Sequence, residues 1–265
     1  MSKKRATKSP IKNLPVRQAG QSIRMEIEEL WQNKLLRPLC AVIVTMSVAI
    51  YAWELAVFKL PVTPMFMTVL LLASILWLLL SFRKHLPQFK NLNLGLVGER
   101  AVGQFLEEEL RKYGYQVLHD IPGDGFNVDH VVIGTSGIYT IETKTHSKPA
   151  KGGCSIKYDG AQVSINGIKP NRDPIIQAKA QNRWLADIFE QSTGRKFKIQ
   201  SVVLYPGWFV EASVQWPEVW VQNEKQFPAT ITRQNQSIGD ADVHLLTYHL
   251  KLHVIAKTKE ESEQS

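Results

Sequence analysis

The sequence VDHVVIGTSGIYTIETKT, residues 128–145, carries the clearest secondary-structure signal in the C-terminal part of the chain. Two runs rich in β-branched residues flank the turn-forming GTSG at residues 134–137, which predicts an antiparallel β-hairpin. A loop over those four residues sets a register that places Asp129 opposite Glu142. Lys144, two residues further along the strand, shares the face of Glu142.

Two carboxylates that face each other on a sheet repel unless a positive charge lies between them. A hard divalent cation such as Mg²⁺ meets this need, because it binds carboxylate oxygens and retains several waters. Asp129 and Glu142 are therefore candidate metal ligands, and Lys144 is placed to orient a metal-bound water or to stabilise charge on a phosphate. In the alternative interpretation the hairpin is partly exposed, Lys144 neutralises Glu142, and a one-residue slip sends Asp129 to the other face.

A third carboxylate lies on a helix predicted before the hairpin. In residues 96–113 apolar side chains recur with the period of an α-helix, and Glu99 lies on that apolar stripe. A carboxylate directed at a core is costly unless it is paired or binds a cation, so Glu99 is a further candidate ligand. The alternative is a Glu near a helix end that reaches solvent or caps a backbone group.

Segments after the hairpin predict the rest of an α/β domain. A helix beginning at Pro174 and capped by Asp173 carries Gln177 and Gln181 on one face. Ordinary solvation of a helix surface is the alternative explanation for Gln177. Further elements are predicted as a hairpin around Asp159-Gly160, strands from residues 200 and 218, and a closing helix from residue 240.

Two apolar runs precede this domain. The first, residues 39–58, has 20 residues, and the second, residues 65–82, has 18 residues and no charged side chain. Each is long enough to cross the hydrocarbon core of a bilayer as a helix. Basic residues before the first run and after the second predict that both ends of the hairpin face the cytoplasm. A buried helical hairpin within a soluble core is the alternative.

The net charge of +8 is concentrated at the N-terminus. Residues 1–38 contain nine Lys or Arg and three Glu, and residues 39–82 are neutral, so only two of the eight positive charges remain for residues 83–265. Any nucleic-acid site must therefore be a local basic patch. The two cysteines of the chain exclude a zinc site with four cysteine ligands and make a disulfide framework implausible.

Five motifs occur in a specific order: GER at 98–100, GYQVLHDI at 114–121, VDHVVIG at 128–134, GIYTIETKT at 137–145 and DPIIQAKAQNRWL at 173–185. Together they resemble the nuclease-related domain (NERD), a family of the restriction-endonuclease-like PD-(D/E)XK superfamily. The resemblance implies a mixed central sheet flanked by helices. It makes Asp129 the first acid of the family motif and Glu142 with Lys144 its ExK. Glu99 matches the additional acid on the preceding helix.

The resemblance further implies that one or two Mg²⁺ or Mn²⁺ ions bind at Asp129, Glu142 and Glu99. Lys144 would position the attacking water for hydrolysis of a phosphodiester bond, and Gln177 matches a polar residue that approaches the scissile phosphate. The chain departs from the family pattern at one place, because no Pro precedes its first acid.

These signals divide the chain into five predicted segments. They are a basic cytoplasmic segment with an amphipathic helix (1–38), a two-helix transmembrane hairpin (39–82), a linker (83–94), a nuclease-like domain (95–257) and a disordered tail (258–265).

The predicted function is that of a two-pass protein of the bacterial inner (plasma) membrane that hydrolyses nucleic acid at the cytoplasmic face, with both termini in the cytoplasm. DNA is the expected substrate, the lipid bilayer is a partner, no organic cofactor is expected, and homo-oligomerisation is left open. The alternative is a catalytically silent, membrane-tethered nucleic-acid-binding or scaffold module on the same fold. The near-neutral charge of residues 83–265 favours the alternative, and the complete set of two acids and a Lys favours the enzyme.

Overall fold

The structure is a computed structural model that describes residues 17–59, 64–148, 155–215 and 217–264. The chain forms two compact units, one of residues 21–97 and the other of the residues up to Gly20 together with those from Gly98 onward. We call the second the domain unit. It is built from two parts of the chain that the first unit separates. The first 16 residues of the predicted basic N-terminal segment lie outside the described residues.

The unit of residues 21–97 is helical. Its elements are α1 (Gln21–Leu30), a π-helical segment (Trp31–Leu36), α2 (Arg37–Val57) and the first part of α3 (Pro64–Arg111). The prediction of a linker over residues 83–94 is wrong, because these residues are helical and belong to α3. Pro87 lies inside the helix, where it removes one backbone donor, and the Leu, Lys and Gln residues around it favour a helix.

Both long helical stretches of this unit are long and apolar enough to cross a membrane. Their most apolar windows are only 11% and 6% buried, so the fold does not cover these side chains. Thr45 Oγ1 and Ser74 Oγ lie 2.8 Å apart, and the indole N–H of Trp53 donates to Thr68 Oγ1 at 3.0 Å. These bonds join α2 to α3 and satisfy polar groups that an apolar surrounding leaves unsolvated.

The domain unit is built on a mixed five-stranded sheet. The described residues contain the strands β1 (Gln116–Pro122), β2 (Asn127–Gly134), β3 (Gly137–Thr143), β4 (Ser155–Tyr158), β5 (Val163–Ile165), β6 (Ile199–Leu204), β7 (Phe209–Ala212) and β8 (Val219–Gln222). The large sheet has the order β1-β2-β3-β6-β8. β1, β2 and β3 pair antiparallel, whereas β6 pairs parallel with both β3 and β8. The predicted α/β fold with a mixed central sheet flanked by helices is confirmed.

Helices cover both faces of the large sheet. The helices after β5 are α4 (Pro174–Thr193), α5 (Gln226–Ile231) and α6 (Asp240–Gln264). On one face α4 and α6 bury Leu185 and Leu250 against β1, β2 and β3. On the other face the last part of α3 buries Leu106 and Leu110, two residues of the predicted apolar stripe. The stripe therefore faces the core, as its period predicts.

A smaller sheet, of order β5-β4-β7, lies beside the large one. β4 pairs antiparallel with β5 across the predicted Asp159-Gly160 turn and parallel with β7. Its core includes Tyr158, Tyr205 and Trp208, all fully or almost fully buried.

The C-terminal end of the chain differs from the prediction. Residues 258–265 were expected to be disordered, yet α6 continues to Gln264. Ion pairs one turn apart, Lys257 with Glu260 and Lys259 with Glu263, support this last part of the helix. Residue 265 lies outside the described residues.

Candidate functional site

The predicted site residues meet at the end of β3. The β2–β3 ladder includes the pair His130 with Ile141, which is the register that the sequence predicts. Next to His130, the Asp129 carboxylate accepts a hydrogen bond from the backbone N–H of Thr143 at 2.7 Å. Asp129 is therefore held against the end of the strand that carries Glu142.

Both oxygens of Glu142 accept a hydrogen bond from a neighbouring side chain. Lys144 Nζ donates to Oε1 at 2.5 Å, and Gln181 Nε2 donates to Oε2 at 2.5 Å. Glu142 is only 3% exposed. A buried carboxylate with two such donors has a defined orientation, because each donor restricts the rotation of the carboxylate plane.

Lys144 is held from two further sides. Its backbone N–H donates to the carbonyl of Leu204, which extends the parallel contact between β3 and β6, at 2.8 Å. Its ammonium also donates to Gln177 Oε1 at 2.9 Å. The structure therefore brings Gln177 to the Glu142–Lys144 pair, and the approach of Gln177 to a phosphate stays a prediction.

Glu99, on the part of α3 that packs on the sheet, points inward as predicted and is 3% exposed. Its Oε1 accepts a hydrogen bond from the backbone N–H of Gly20 at 2.7 Å. Burial, together with the charges of Asp120 and Glu142, raises the pKa of Glu99 to about 7 in spite of this hydrogen bond. A proton therefore binds to Glu99 far more readily than to an exposed Glu.

The same surroundings change the pKa of Asp129. Burial raises its pKa well above the usual value, and the negative charges of Glu142 and Glu99 raise it further. The Thr143 N–H and the Lys144 ammonium act in the opposite direction without cancelling the rise. The three carboxylates are thus close enough to repel one another. We call this group the acidic site: Glu99, Asp129, Glu142 and Lys144, with the amides of Gln177 and Gln181.

The acidic site offers the chemistry that hard cations prefer, because such ions bind carboxylate oxygens. Each oxygen of Glu142 accepts one hydrogen bond and keeps a second lone pair. One or two carboxylates with waters commonly hold Mg²⁺, so Asp129 and Glu142 fit such an ion. In the described part of the chain no three His, Cys, Asp or Glu side chains lie close enough to form a metal cluster. Glu99 as a third ligand therefore stays a prediction.

Sequence reasoning missed the role of Gln181, which it placed only on the same helical face as Gln177. The structure shows Gln181 to be 1% exposed and bonded to Glu142. A usable signal was present, because the two amides are four residues apart and so follow each other on one side of α4. A buried Gln on an otherwise apolar helix face needs a polar partner, and β3, which packs beside α4, carries Glu142.

A second buried ionic cluster joins the chain before α1 to the domain. We call residues 17–20 the strap and the group of Arg17, Asp120 and Glu261 the strap cluster. The Arg17 guanidinium donates to Asp120 Oδ2 at 3.0 Å, and it also contacts Glu261. Its Nε donates to Thr258 Oγ1 at 3.1 Å. The side chains of Arg17 and Asp120 are 3% and 1% exposed, so this ion pair lies inside the domain unit.

Comparison with known proteins points to one family. Residues 94–206 match the family model of the nuclease-related domain, a region that includes the whole acidic site. An uncharacterized protein of Bacillus anthracis is 35% identical over 69 residues, which amount to 24% of this chain and 30% of the relative. The aligned region thus spans less than a third of that relative. No solved structure matches the chain at a significant level.

Proposed function

We propose, on the premise of the match to the nuclease-related domain, that this protein is a membrane-anchored, divalent-metal-dependent nuclease of the PD-(D/E)XK type. It hydrolyses phosphodiester bonds, with DNA as the substrate, at the cytoplasmic face of the inner membrane. The observation that carries the proposal is the acidic site, where burial and then the charges of Glu142 and Glu99 raise the pKa of Asp129 and one Lys is present. A bound divalent cation would relieve this excess of negative charge.

In the proposed reaction Asp129 and Glu142 hold Mg²⁺ or Mn²⁺. The bound cation supplies Lewis acidity and a more acidic water. Lys144 has its ammonium beside Glu142 at 2.5 Å, where it can donate to the attacking water or to a phosphate oxygen. Gln177 holds Lys144 from the side of α4 at 2.9 Å and so limits the positions that the ammonium can adopt.

The strap supports the proposed membrane arrangement. Arg17 and Gly20 precede the two apolar helices, yet they bond to Asp120 and Glu99, which follow them. The strap and the rest of the domain unit must therefore lie on one side of a bilayer, and two crossings meet that condition. The basic residues on both flanks of the hairpin favour the cytoplasm as that side.

A binding or scaffold module on the same fold is the second candidate. It is favoured by the charge distribution, because residues 83–265 carry only two of the eight net positive charges of the chain. Proteins that bind a nucleic-acid backbone usually present a distinctly basic surface. In this alternative the acidic site holds a cation without turnover.

The test is DNA cleavage by the full-length protein in detergent or in lipid nanodiscs, with Mg²⁺ or Mn²⁺ and with linear, circular and single-stranded DNA. The full chain is needed because the strap belongs to the domain unit. We expect cation-dependent cleavage that falls about a hundredfold or more in Glu142→Ala and in Lys144→Ala. Glu108→Ala, on the exposed side of α3, and Lys112→Ala, at the exposed residue directly after α3, serve as matched controls and should cleave like the unaltered protein.

Two results would contradict the enzyme. Cleavage that persists in Glu142→Ala would show that the activity comes from elsewhere, including a contaminant. A folded protein that binds Mn²⁺ but cleaves none of these substrates would favour the scaffold module.

A further inference from the structure

Gln181 occupies an unusual position for a helix side chain of this polarity. It is 1% exposed, and its Nε2 donates both to Glu142 Oε2 at 2.5 Å and to the backbone carbonyl of Asn127 at 3.2 Å. The same amide group thus contacts a carboxylate of the acidic site and the first residue of β2.

The orientation of this amide follows from its surroundings. On one side of it lie the Asn127 carbonyl oxygen, which can only accept a hydrogen bond, and Glu142 Oε2, while Oε1 of the same carboxylate accepts from the Lys144 ammonium. The amide nitrogen must therefore face them. A flipped amide would place its oxygen against two other acceptors.

The other end of the amide is left without a hydrogen bond. Gln181 Oε1 is buried and has no hydrogen-bond partner among the described residues. A buried carbonyl oxygen is costly to leave unpaired, and such a group usually accepts from an ordered water or contacts an ion. Oε1 and Nε2 share one carbon atom, so this open acceptor belongs to the same amide that bonds the Glu142 carboxylate.

Two amides of α4 therefore hold the two members of the Glu142–Lys144 pair in complementary ways. Gln177 presents its oxygen to the Lys144 ammonium, and Gln181 presents its nitrogen to the Glu142 carboxylate. The distance between residues four apart on a helix thus matches the distance between residues two apart on a strand. We call Gln177 and Gln181 the amide clamp.

We propose that Gln181 is a positioning residue of the acidic site, an inference that rests on the proposed metal-dependent function. Its nitrogen sets the plane of the Glu142 carboxylate so that the remaining lone pairs face a bound cation. Its other amide atom, Oε1, has no hydrogen-bond partner among the described residues and would be available to a water bound near that cation. Partners that orient metal ligands in this way commonly change metal affinity by about 10- to 100-fold when they are lost.

The test is a Mn²⁺ titration of the full-length protein in detergent, followed by electron paramagnetic resonance of the free and bound ion. Gln181→Met keeps the length and the buried apolar stem of the side chain but removes both polar atoms. We expect it to weaken Mn²⁺ binding by about tenfold or more. Glu142→Gln, which alters the proposed ligand itself, should remove the specific binding.

Gln200→Met is the matched control. Gln200 also donates from Nε2 to two backbone carbonyls, those of Ser201 and Glu218. It pairs with Tyr139 in the sheet, away from Glu142. A general loss of amide hydrogen bonds would affect both variants, whereas a role at the cation site affects Gln181→Met alone.

Cleavage assays supply a second readout that a purely structural role would not change. The Mn²⁺ concentration for half-maximal cleavage should rise about tenfold in Gln181→Met, and saturating Mn²⁺ should restore most of the rate. If Gln181→Met does not fold, Gln181→Asn replaces it, because Asn keeps an amide that is too short to reach Glu142.

The outcomes separate this inference from the proposed function. If the unaltered protein binds Mn²⁺ through Glu142 and the Gln181 variant binds it equally well, the positioning role is wrong and the metal-dependent function stands. If the unaltered protein binds no Mn²⁺, both are wrong. Weaker binding in Gln200→Met as well would also overturn the specific role of Gln181.

Discussion

In the strap cluster a buried guanidinium faces a buried carboxylate, whereas in the acidic site three carboxylates share one ammonium. Arg17 and Asp120 are 3% and 1% exposed and form a pair, and the further partner Glu261 is 43% exposed and so remains solvated. In the acidic site Lys144 is the only cation that bonds Glu142 directly among the described residues. The buried pair of the strap cluster thus joins opposite charges, whereas the acidic site groups like charges around one ammonium.

The difference separates a structural role from a functional one. A balanced buried pair holds two segments together, and here it attaches the strap to β1 and to the end of α6. Burial, together with the repulsion between neighbouring carboxylates, raises the pKa values of Glu99 and Asp129, so ionisation of these two groups destabilises the fold. Such strongly perturbed groups concentrate at sites that bind ions or perform chemistry. The comparison therefore favours the acidic site as the functional one.

The largest expected effect comes from unbalancing the strap cluster. Arg17→Met leaves the buried Asp120 carboxylate without its guanidinium, and we expect the free energy of unfolding to fall by about 3 to 5 kcal/mol. Thermal or chemical unfolding of the full-length protein in detergent measures the change. The double variant Arg17→Met/Asp120→Asn removes the charge as well and should be more stable than Arg17→Met. A single variant as stable as the unaltered protein would mean that the pair does not hold the strap.

The next largest effect is expected when the negative charge of Glu99 is removed from the acidic site. The pKa of Glu99 rises from 4.5 to about 7 on folding, so its ionisation destabilises the metal-free protein increasingly as the pH rises through about 7. Glu99→Gln removes this ionisation and keeps an oxygen for the Gly20 N–H. At pH 8 with a chelator, we expect the variant to be more stable by about 3 kcal/mol at most.

The pH dependence is the check on that prediction. The gain should shrink as the pH falls from about 8 to about 5, because the unaltered Glu99 is then protonated in the folded state. Unfolding measured at several pH values would show it. A constant difference over this range would indicate that ionisation of Glu99 is not the cause.

A divalent cation should turn the imbalance into a stabilising interaction. With free Mn²⁺ at about 100 times its Kd, binding to the folded protein adds about 2.7 kcal/mol to the free energy of unfolding. We expect this gain in the unaltered protein and not in Glu142→Gln, as measured by thermal unfolding with and without Mn²⁺. An equal gain in both proteins would place the bound ion outside the acidic site.

The smallest effect is expected at an exposed ion pair. Lys112 contacts Glu109 at 2.9 Å on the surface of α3, with about half of each side chain exposed. Lys112→Ala should leave the free energy of unfolding almost unchanged, because solvent screens such pairs. If Lys112→Ala lowered the free energy of unfolding as much as Arg17→Met in the same assay, burial would not explain why the two ion pairs differ.

The local patterns of the sequence predicted the hairpin and most of the site. Alternation of β-branched residues around GTSG was sufficient for the register, and Asp129 and Glu142 indeed meet at the end of β3. The apolar stripe was sufficient to direct Glu99 inward. These features depend on contacts between residues close in the chain, for which period and turn chemistry are direct physical constraints.

Other features depended on contacts between distant parts of the chain. The tail was expected to be disordered, yet α6 reaches Gln264 and bonds the strap, which lies about 240 residues away in sequence. In the sequence Gln181 is one polar residue of a helix face, and only the packing of α4 beside β3 identifies Glu142 as its partner. Neither contact leaves a periodic signal in the sequence.

Short-range physics therefore accounts for the hairpin, the inward carboxylates and the two apolar helices, because each follows from the spacing of residue types along a helix or strand. The assembly of the strap cluster and the amide clamp was decided only by tertiary packing. In both, a buried polar group takes its partner from another segment of the chain, and the choice among many polar residues depends on which segments the folded core brings into contact.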